Sequence, residues 1–174
     1  MDSKWTILSD FDGTITQADA SQLILRQYGE GDWGRYDRML ERGEISFEDC
    51  IASQFRLINA SASEILRGYD RFVSPRKNFG DLIDLAVAMG IPITIVSGGL
   101  EFIIREFLRR NGWTDLIKLH VGELRTKDGR MLATFPPLLE QGSLCFKDDL
   151  VLRLKRHGKR VIYIGDGTYD LRAA

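Results

Sequence analysis

Ile7-Leu8-Ser9-Asp10-Phe11-Asp12-Gly13-Thr14-Ile15-Thr16 is the stretch on which the reading of this chain turns. An apolar run ends in two carboxylates at i and i+2, and Gly and Thr follow at once. The pattern predicts a short buried strand, Trp5–Ser9, that delivers two acids to its carboxyl end before the chain breaks at Gly13. Two acids there suit a hard divalent cation and an attack on a phosphoryl group.

Working outward, the period changes after Asp19. Leu23, Ile24, Tyr28, then Trp33, Tyr36, Met39, Leu40, then Phe47, Ile51, Phe55, Leu57 and Ile58 recur at helical spacing. Ser46 with Asp49, and Ser61 with Glu64, read as helix starts. About four helices are expected before Phe72. A further helix, Phe79–Ala88, stops at Gly90, and Ile91–Val96 is a β-branched run typical of a strand buried on both faces. It ends at Ser97-Gly98-Gly99, ahead of an amphipathic helix, Leu100–Arg110. Leu116–Val121 reads as a third strand, and Lys127-Asp128-Gly129 between two short strands reads as a hairpin. Lys147–His157 is predicted helical, and Arg160–Ile164 is a fourth strand ending at Gly165-Asp166-Gly167.

Strands alternating with helices predict an α/β fold, a doubly wound (Rossmann-like) parallel sheet carrying an inserted all-helical segment. Ligands of such sheets bind at the carboxyl ends of the strands. Asp10 and Asp12, Ser97 and Gly98, and Asp166 all fall there. With Asp170, four carboxylates converge, and their mutual repulsion calls for a cation; Mg²⁺ suits one that also binds a phosphate oxygen. Ser97 offers a hydroxyl, and Gly98-Gly99 offer backbone N–H groups at a helix start, where an anion is favoured. Lys147, at the first turn of a helix, supplies positive charge at a place the helix dipole disfavours, which argues for a partner elsewhere.

The bulk composition excludes several classes. The 174 residues are 44% apolar, enough for a core and too few for a membrane protein, and no apolar run approaches the ~18 residues of a membrane span. A net charge of −1 favours neither nucleic acid nor an acidic membrane surface. The two cysteines, Cys50 and Cys145, are far apart in sequence and read as reduced buried thiols, which with the absence of a leader pattern predicts a cytoplasmic chain.

Asp10-Phe-Asp-Gly-Thr-Ile-Thr, Ser97-Gly-Gly, Lys147 and Gly165-Asp-Gly-Thr-Tyr-Asp170 resemble, in order and spacing, the four motifs of the haloacid dehalogenase-like phosphatases. The helical insert is similar to the cap of the phosphoserine phosphatase-like branch. The resemblance implies a core of residues 1–16 and 79–174 with a cap of 17–78. It implies Asp10 as nucleophile, forming an aspartyl-phosphate, and Asp12 as general acid and then base. Mg²⁺ would be held by Asp10, Asp166 and the backbone carbonyl of Asp12. Ser97, Gly98 and Lys147 would hold the phosphoryl group, Asp170 would orient Lys147 or the ligands, and Thr14 would shape the loop over the nucleophile. It also implies at least one further strand and helix beyond Ala174; without those C-terminal strands, the first or the fourth strand is left with an open edge.

Substrate identity should reside in the cap. Phosphoserine phosphatases usually carry Glu nine positions after the nucleophile and Arg seven after the cap aromatic, Phe47; here those positions are Asp19 and Gln54. Losing a bidentate carboxylate partner is not conservative, and Arg56 falls on another helix face. The chain looks closer to the methionine-salvage phosphatases that act on 2-hydroxy-3-keto-5-methylthiopentenyl-1-phosphate, a small ester with an apolar tail. Phe47, Met39, Phe55 and Trp33 are candidates for its apolar pocket or for the core of the cap. Phosphoserine phosphatase is the alternative. A module that binds phosphate or metal without turnover is the alternative of another class.

Overall fold

The computed structural model describes residues 3–173, so residues 1, 2 and 174 of the expected core segments lie outside the described residues. Strand β1 (Trp5–Ser9) leads into five helices: α1 (Ala20–Tyr28), α2 (Gly34–Glu41), α3 (Phe47–Phe55), α4 (Ala62–Arg67) and α5 (Tyr69–Phe72). Helix α6 (Phe79–Ala88), strand β2 (Ile93–Ser97), helix α7 (Glu101–Asn111) and strand β3 (Ile117–Val121) follow. After the hairpin β4 (Glu123–Lys127) and β5 (Arg130–Thr134) come helix α8 (Phe146–Arg156), strand β6 (Arg160–Ile164) and helix α9 (Thr168–Ala173).

The four long-range strands form one parallel sheet in the order β3-β2-β1-β6. Ile7 of β1 is in register with Ile93 on one side and Ile162 on the other. Successive side chains alternate between the two faces. Ile7, Ile93 and Ile95 join the core with α6 and α7, through Ile83, Ile103 and Phe107. Leu8 and Val96 point the other way, onto Phe146, Leu150 and Val151 of α8. Helices thus cover both faces, as the continuous apolar strands require. Of the two strands that were candidates for the open edge, β1 is interior and β6 is at the edge, where Ile162 is exposed.

Local sequence explains the element ends. Ser46 accepts a hydrogen bond from the Asp49 N–H, and Ser61 with Glu64 forms a reciprocal capping box. Asp128 and Gly129 both have positive φ, 50° and 75°, the signature of the tight turn that joins twisted antiparallel strands. The insert departs from the expected helix count because α4 and α5 are separate, divided at Gly68. Leu57 and Ile58 continue the helical period of α3 but lie in the turn after it, where Ile58 bridges to Gly29 and is fully buried.

One apolar cluster runs without a break from the sheet into the insert, through Ile24, Phe55, Ile58, Ile65 and Phe72. The chain leaves and re-enters the sheet side by side: Gln17 N–H donates to Ser74 O, and Arg76 N–H to Ile15 O. Below the strand ends, Phe11 meets Phe107 edge-on at 5.2 Å, and Phe107 meets Trp113 at 5.6 Å. Phe107, buried in the core, is therefore a packing support beneath Phe11 of the Asp10–Asp12 loop. Phe107→Ala is expected to lower the unfolding free energy by about 3–5 kcal/mol in urea titration, and a loss under about 1 kcal/mol would contradict this role.

Candidate active site

The residues singled out at the strand ends meet in one cavity of about 240 Å³, lined also by residues of α2 and α3. Asp10 leaves β1 with its N–H donating to Ile164 O, so its backbone position is fixed by β6. Its Oδ1 accepts from the Phe11 N–H at 2.7 Å, and its Oδ2 lies 2.9 Å from Lys147 Nζ. Lys147 Nζ also donates to Asp170 Oδ1 at 2.7 Å. Both side chains are almost wholly buried, which answers why a lysine stands in the first turn of α8: it is the counter-charge of two acids.

Asp170 is fully employed. Oδ1 also accepts from the Tyr163 hydroxyl at 2.9 Å, and Oδ2 from the Gly167 N–H at 3.0 Å. Burial pushes Asp170 up, but Lys147 and these donors outweigh it and hold the carboxyl below its ordinary value. Asp10 shares the same lysine yet is raised to about 6, because burial dominates and Asp170 adds repulsion. Lys147 is pulled down by burial and carried above its ordinary value by the two carboxylates.

Asp12 faces the other way, into the start of α1. Its Oδ1 accepts from the Ala20 N–H and its Oδ2 from the Ser21 hydroxyl, both at 2.8 Å. Burial, reinforced by Asp19, pushes it to about 8. A carboxyl that keeps its proton near neutrality is suited to giving one away. Asp166 is exposed and takes a 2.7 Å hydrogen bond from Thr14, so the loop after β1 and the loop after β6 are tied together. Gly13 permits this: it has φ +75°, and a Cβ there would collide with the Asp166 carboxylate.

One oxygen from each of Asp10, Asp166 and Asp170 lies within 4.8 Å of the other two. The all-oxygen donor set, open at Asp166, fits a hard cation that keeps part of its water, such as Mg²⁺. The expected set joined Asp10 and Asp166 with the Asp12 backbone carbonyl; the carboxylate geometry adds Asp170, although both its oxygens already accept hydrogen bonds.

Ser97 is buried, with its Oγ accepting from the Gly99 N–H at 3.1 Å. Gly98 lines the cavity and has a packing reason of its own, since a Cβ there would collide with Ile51 of α3. Phe47 places its ring 5.7 Å from Lys147 Nζ and 4.5 Å from Tyr169. Asp19 lines the cavity while capping α1 through the Gln22 N–H, and Gln54 lines it while donating to Asp37. Phe55 joins the lining; Met39 and Trp33 are not among the residues that line it, and Arg56 is exposed outside it.

Four participants escaped the sequence reading. Ser21 holds Asp12, Tyr163 holds Asp170, Asp37 lines the cavity, and Glu48 accepts the Phe146 N–H at 2.7 Å, joining α3 to α8 beside Lys147. Ser21 alone carried a signal, as a hydroxyl in the first turn of the helix that Asp19 caps.

The family model for haloacid dehalogenase-like hydrolases matches residues 7–174, and the chain belongs to that family of enzymes. It is 28% identical over 171 residues to the bifunctional enzyme MtnB/MtnX of Bacillus licheniformis, covering 97% of this chain and 40% of that protein. It is 26% identical over 179 residues to the 2-hydroxy-3-keto-5-methylthiopentenyl-1-phosphate phosphatase of Geobacillus kaustophilus, covering 100% of this chain and 80% of the relative. The chain thus spans two-fifths of the bifunctional relative and four-fifths of the stand-alone one. Among solved structures, a substrate-bound phosphoserine phosphatase superposes with a TM-score of 0.71 at 20% identity, covering 100% of this chain and 84% of that one; the likeness is one of fold. No described helix is long and apolar enough to cross a membrane.

Two outcomes follow from the charges. Lys147→Met leaves two buried acids without their cation and is expected to cost about 3–5 kcal/mol of stability by denaturant unfolding, part of it recovered by adding Asp170→Asn; an unchanged midpoint would contradict the pairing. Asp12 has a raised folded pKa, so its contribution to stability is full below about pH 4 and is lost as pH rises towards 8. The melting temperature of Asp12→Asn relative to the parent, in EDTA, should therefore climb between pH 4.5 and 8, and a flat difference would contradict the burial of that charge.

Proposed function

We propose that the chain is a Mg²⁺-dependent phosphomonoester hydrolase of small phosphorylated metabolites, working through an aspartyl-phosphate on Asp10. The observation that carries this reading is the pairing of roles at the end of β1. Asp10 faces the Lys147 ammonium at 2.9 Å, whereas Asp12, two residues on, is turned to the Ala20 N–H and the Ser21 hydroxyl, and burial pushes its carboxyl up to about 8. One acid is arranged to attack and the other to give a proton.

Asp10 would attack phosphorus as the ester bond breaks, and Asp12 would protonate the departing oxygen. Asp12, now ionised, would take a proton from water as that water attacks the phosphoaspartate, releasing inorganic phosphate and restoring Asp10. Lys147 would balance charge on the transferring group, with the Ser97 hydroxyl and the backbone at Gly98 as further donors. Asp10, Asp166 and the Asp12 carbonyl would hold Mg²⁺, which when bound neutralises phosphate charge beside these acids. Asp170, by gripping Lys147, and Thr14, by gripping Asp166, would keep the two loops in place. Residues 17–78 would act as the cap, and the paired segments Ile15–Gln17 and Ser74–Arg76 as its neck. Two buried free cysteines support a reducing, cytoplasmic setting.

For the substrate we propose a 2-hydroxy-3-keto-5-methylthiopentenyl-1-phosphate-type ester. The names of the relatives support it, as does an apolar cavity wall of Leu25, Leu40, Ile51 and Phe55 suited to a thioether tail. Phosphoserine is disfavoured because Gln54, bonded to Asp37, offers no charge to a substrate carboxylate.

Phosphate release from p-nitrophenyl phosphate tests the reading and separates it from a binding module. Turnover is expected with Mg²⁺, should disappear in EDTA and should return on adding Mg²⁺. Asp10→Asn is expected to abolish it and Asp12→Asn to lower kcat by about 10²–10⁴. Full activity in Asp10→Asn would overturn the mechanism.

A further inference from the structure

The cavity has two chemically different ends. At the strand ends Lys147 stands among carboxylates. Helices α2 and α3 supply another part of the lining, and Asp37 of α2 is among the residues there. Its Oδ1 accepts from Gln54 Nε2 at 2.8 Å and from Cys50 Sγ at 3.7 Å, and both of those side chains are buried. Its Oδ2 receives no hydrogen bond from the described residues. Asp37, a lining residue of the cavity, is thus held through Oδ1 and has Oδ2 left as an acceptor. It is close enough to Asp19 to contribute to raising that carboxyl. Among the described residues that line the cavity Lys147 is the one cation, and it is already committed to Asp10 and Asp170.

A leaving group entering this end meets an unpaired acceptor and negative charge in partly apolar surroundings. A donor there satisfies Asp37, whereas a carboxylate is desolvated beside a like charge with no counter-ion. We propose that Asp37 is a specificity-determining residue: it receives a hydrogen-bond donor, hydroxyl or ammonium, on the leaving group of the phosphate ester and rejects leaving groups that carry a carboxylate. The inference rests on the hydrolase reading above and names the substrate class for that site. The 2-hydroxy group of the proposed ester is such a donor.

The test compares three esters of similar size: glycerol 1-phosphate (hydroxyl), ethanolamine phosphate (ammonium) and 2-phosphoglycolate (carboxylate). Each kcat/KM is divided by that of p-nitrophenyl phosphate for the same variant, so that a folding defect cancels. The parent chain should prefer the better donor ester over 2-phosphoglycolate by about tenfold or more, and the ranking of hydroxyl against ammonium says which donor the site takes. Asp37→Asn keeps the bond from Gln54 and turns a donor into the cavity, so the preference should fall to within about threefold. A parent that prefers 2-phosphoglycolate, or a preference unchanged in Asp37→Asn, overturns the proposal. The same ratios read as Kd by calorimetry on Asp10→Asn, with and without Asp37→Asn, keep the two readings apart. Donor preference in Kd without turnover by the parent contradicts the hydrolase reading and supports the role of Asp37. Turnover without preference does the reverse, and neither binding nor turnover overturns both.

Discussion

The ion group Asp10–Lys147–Asp170 is the interaction on which the rest of the site depends. It joins the end of β1, the first turn of α8 and the start of α9, three elements far apart in sequence, through contacts of 2.9 and 2.7 Å between largely buried side chains. A buried charge group of this kind is poor value for stability compared with apolar packing, and breaking it is worse than never having it. Its presence makes physical sense as the means of keeping Asp10 ionised where burial alone would protonate it. Tyr163 and the Gly167 N–H, by filling the remaining valences of Asp170, leave Lys147 with a fixed direction.

The second constraint is the unequal treatment of two acids only two residues apart. Asp10 follows the strand and meets the lysine; Asp12 lies beyond the first bend and meets the start of α1. The same chain segment therefore delivers one carboxylate held near 6 and one near 8, by burial in both cases and by a cation in only one. The helical insert takes part in this directly, since Ala20 and Ser21 are the groups that orient Asp12, and Glu48 reaches across to the Phe146 N–H. Arg76, where the chain returns from the helical insert, donates to the carbonyls of Gly13 and Thr14 and so braces the loop from outside.

Much of this was legible in the sequence, for identifiable reasons. The strands were visible because continuous β-branched runs ended at Gly or Asp, and in a parallel sheet the strand ends locate the acids without further information. The unfavourable place of Lys147 on its own helix was a clue to a partner. What could not be read depends on rotation about helix axes and on pairing across the fold. Asp37 sits in an amphipathic helix beside the period of Trp33, Tyr36, Met39 and Leu40, and that period does not show that Gln54 and Cys50 of α3 come to bond it. Tyr163 lies within an apolar strand, where its hydroxyl has no local partner and finds one only when α9 folds back. Gly98 shows the opposite difficulty: a residue chosen for phosphate is also required by the close approach of Ile51. The period alone does not show where α3 ends, because Ile58 keeps the helical spacing while its backbone has left the helix to bridge Gly29.

The central claim, that Asp10 is charged for covalent chemistry, is tested most directly by trapping. The chain would be mixed with a phosphate ester and Mg²⁺, quenched in acid during turnover, reduced with borohydride and mapped by mass spectrometry. The account predicts reduction of an acyl-phosphate at residue 10, giving homoserine there and nowhere else. Turnover with Asp10 unmodified, or a trapped acyl-phosphate at Asp12 or Asp166, would contradict it.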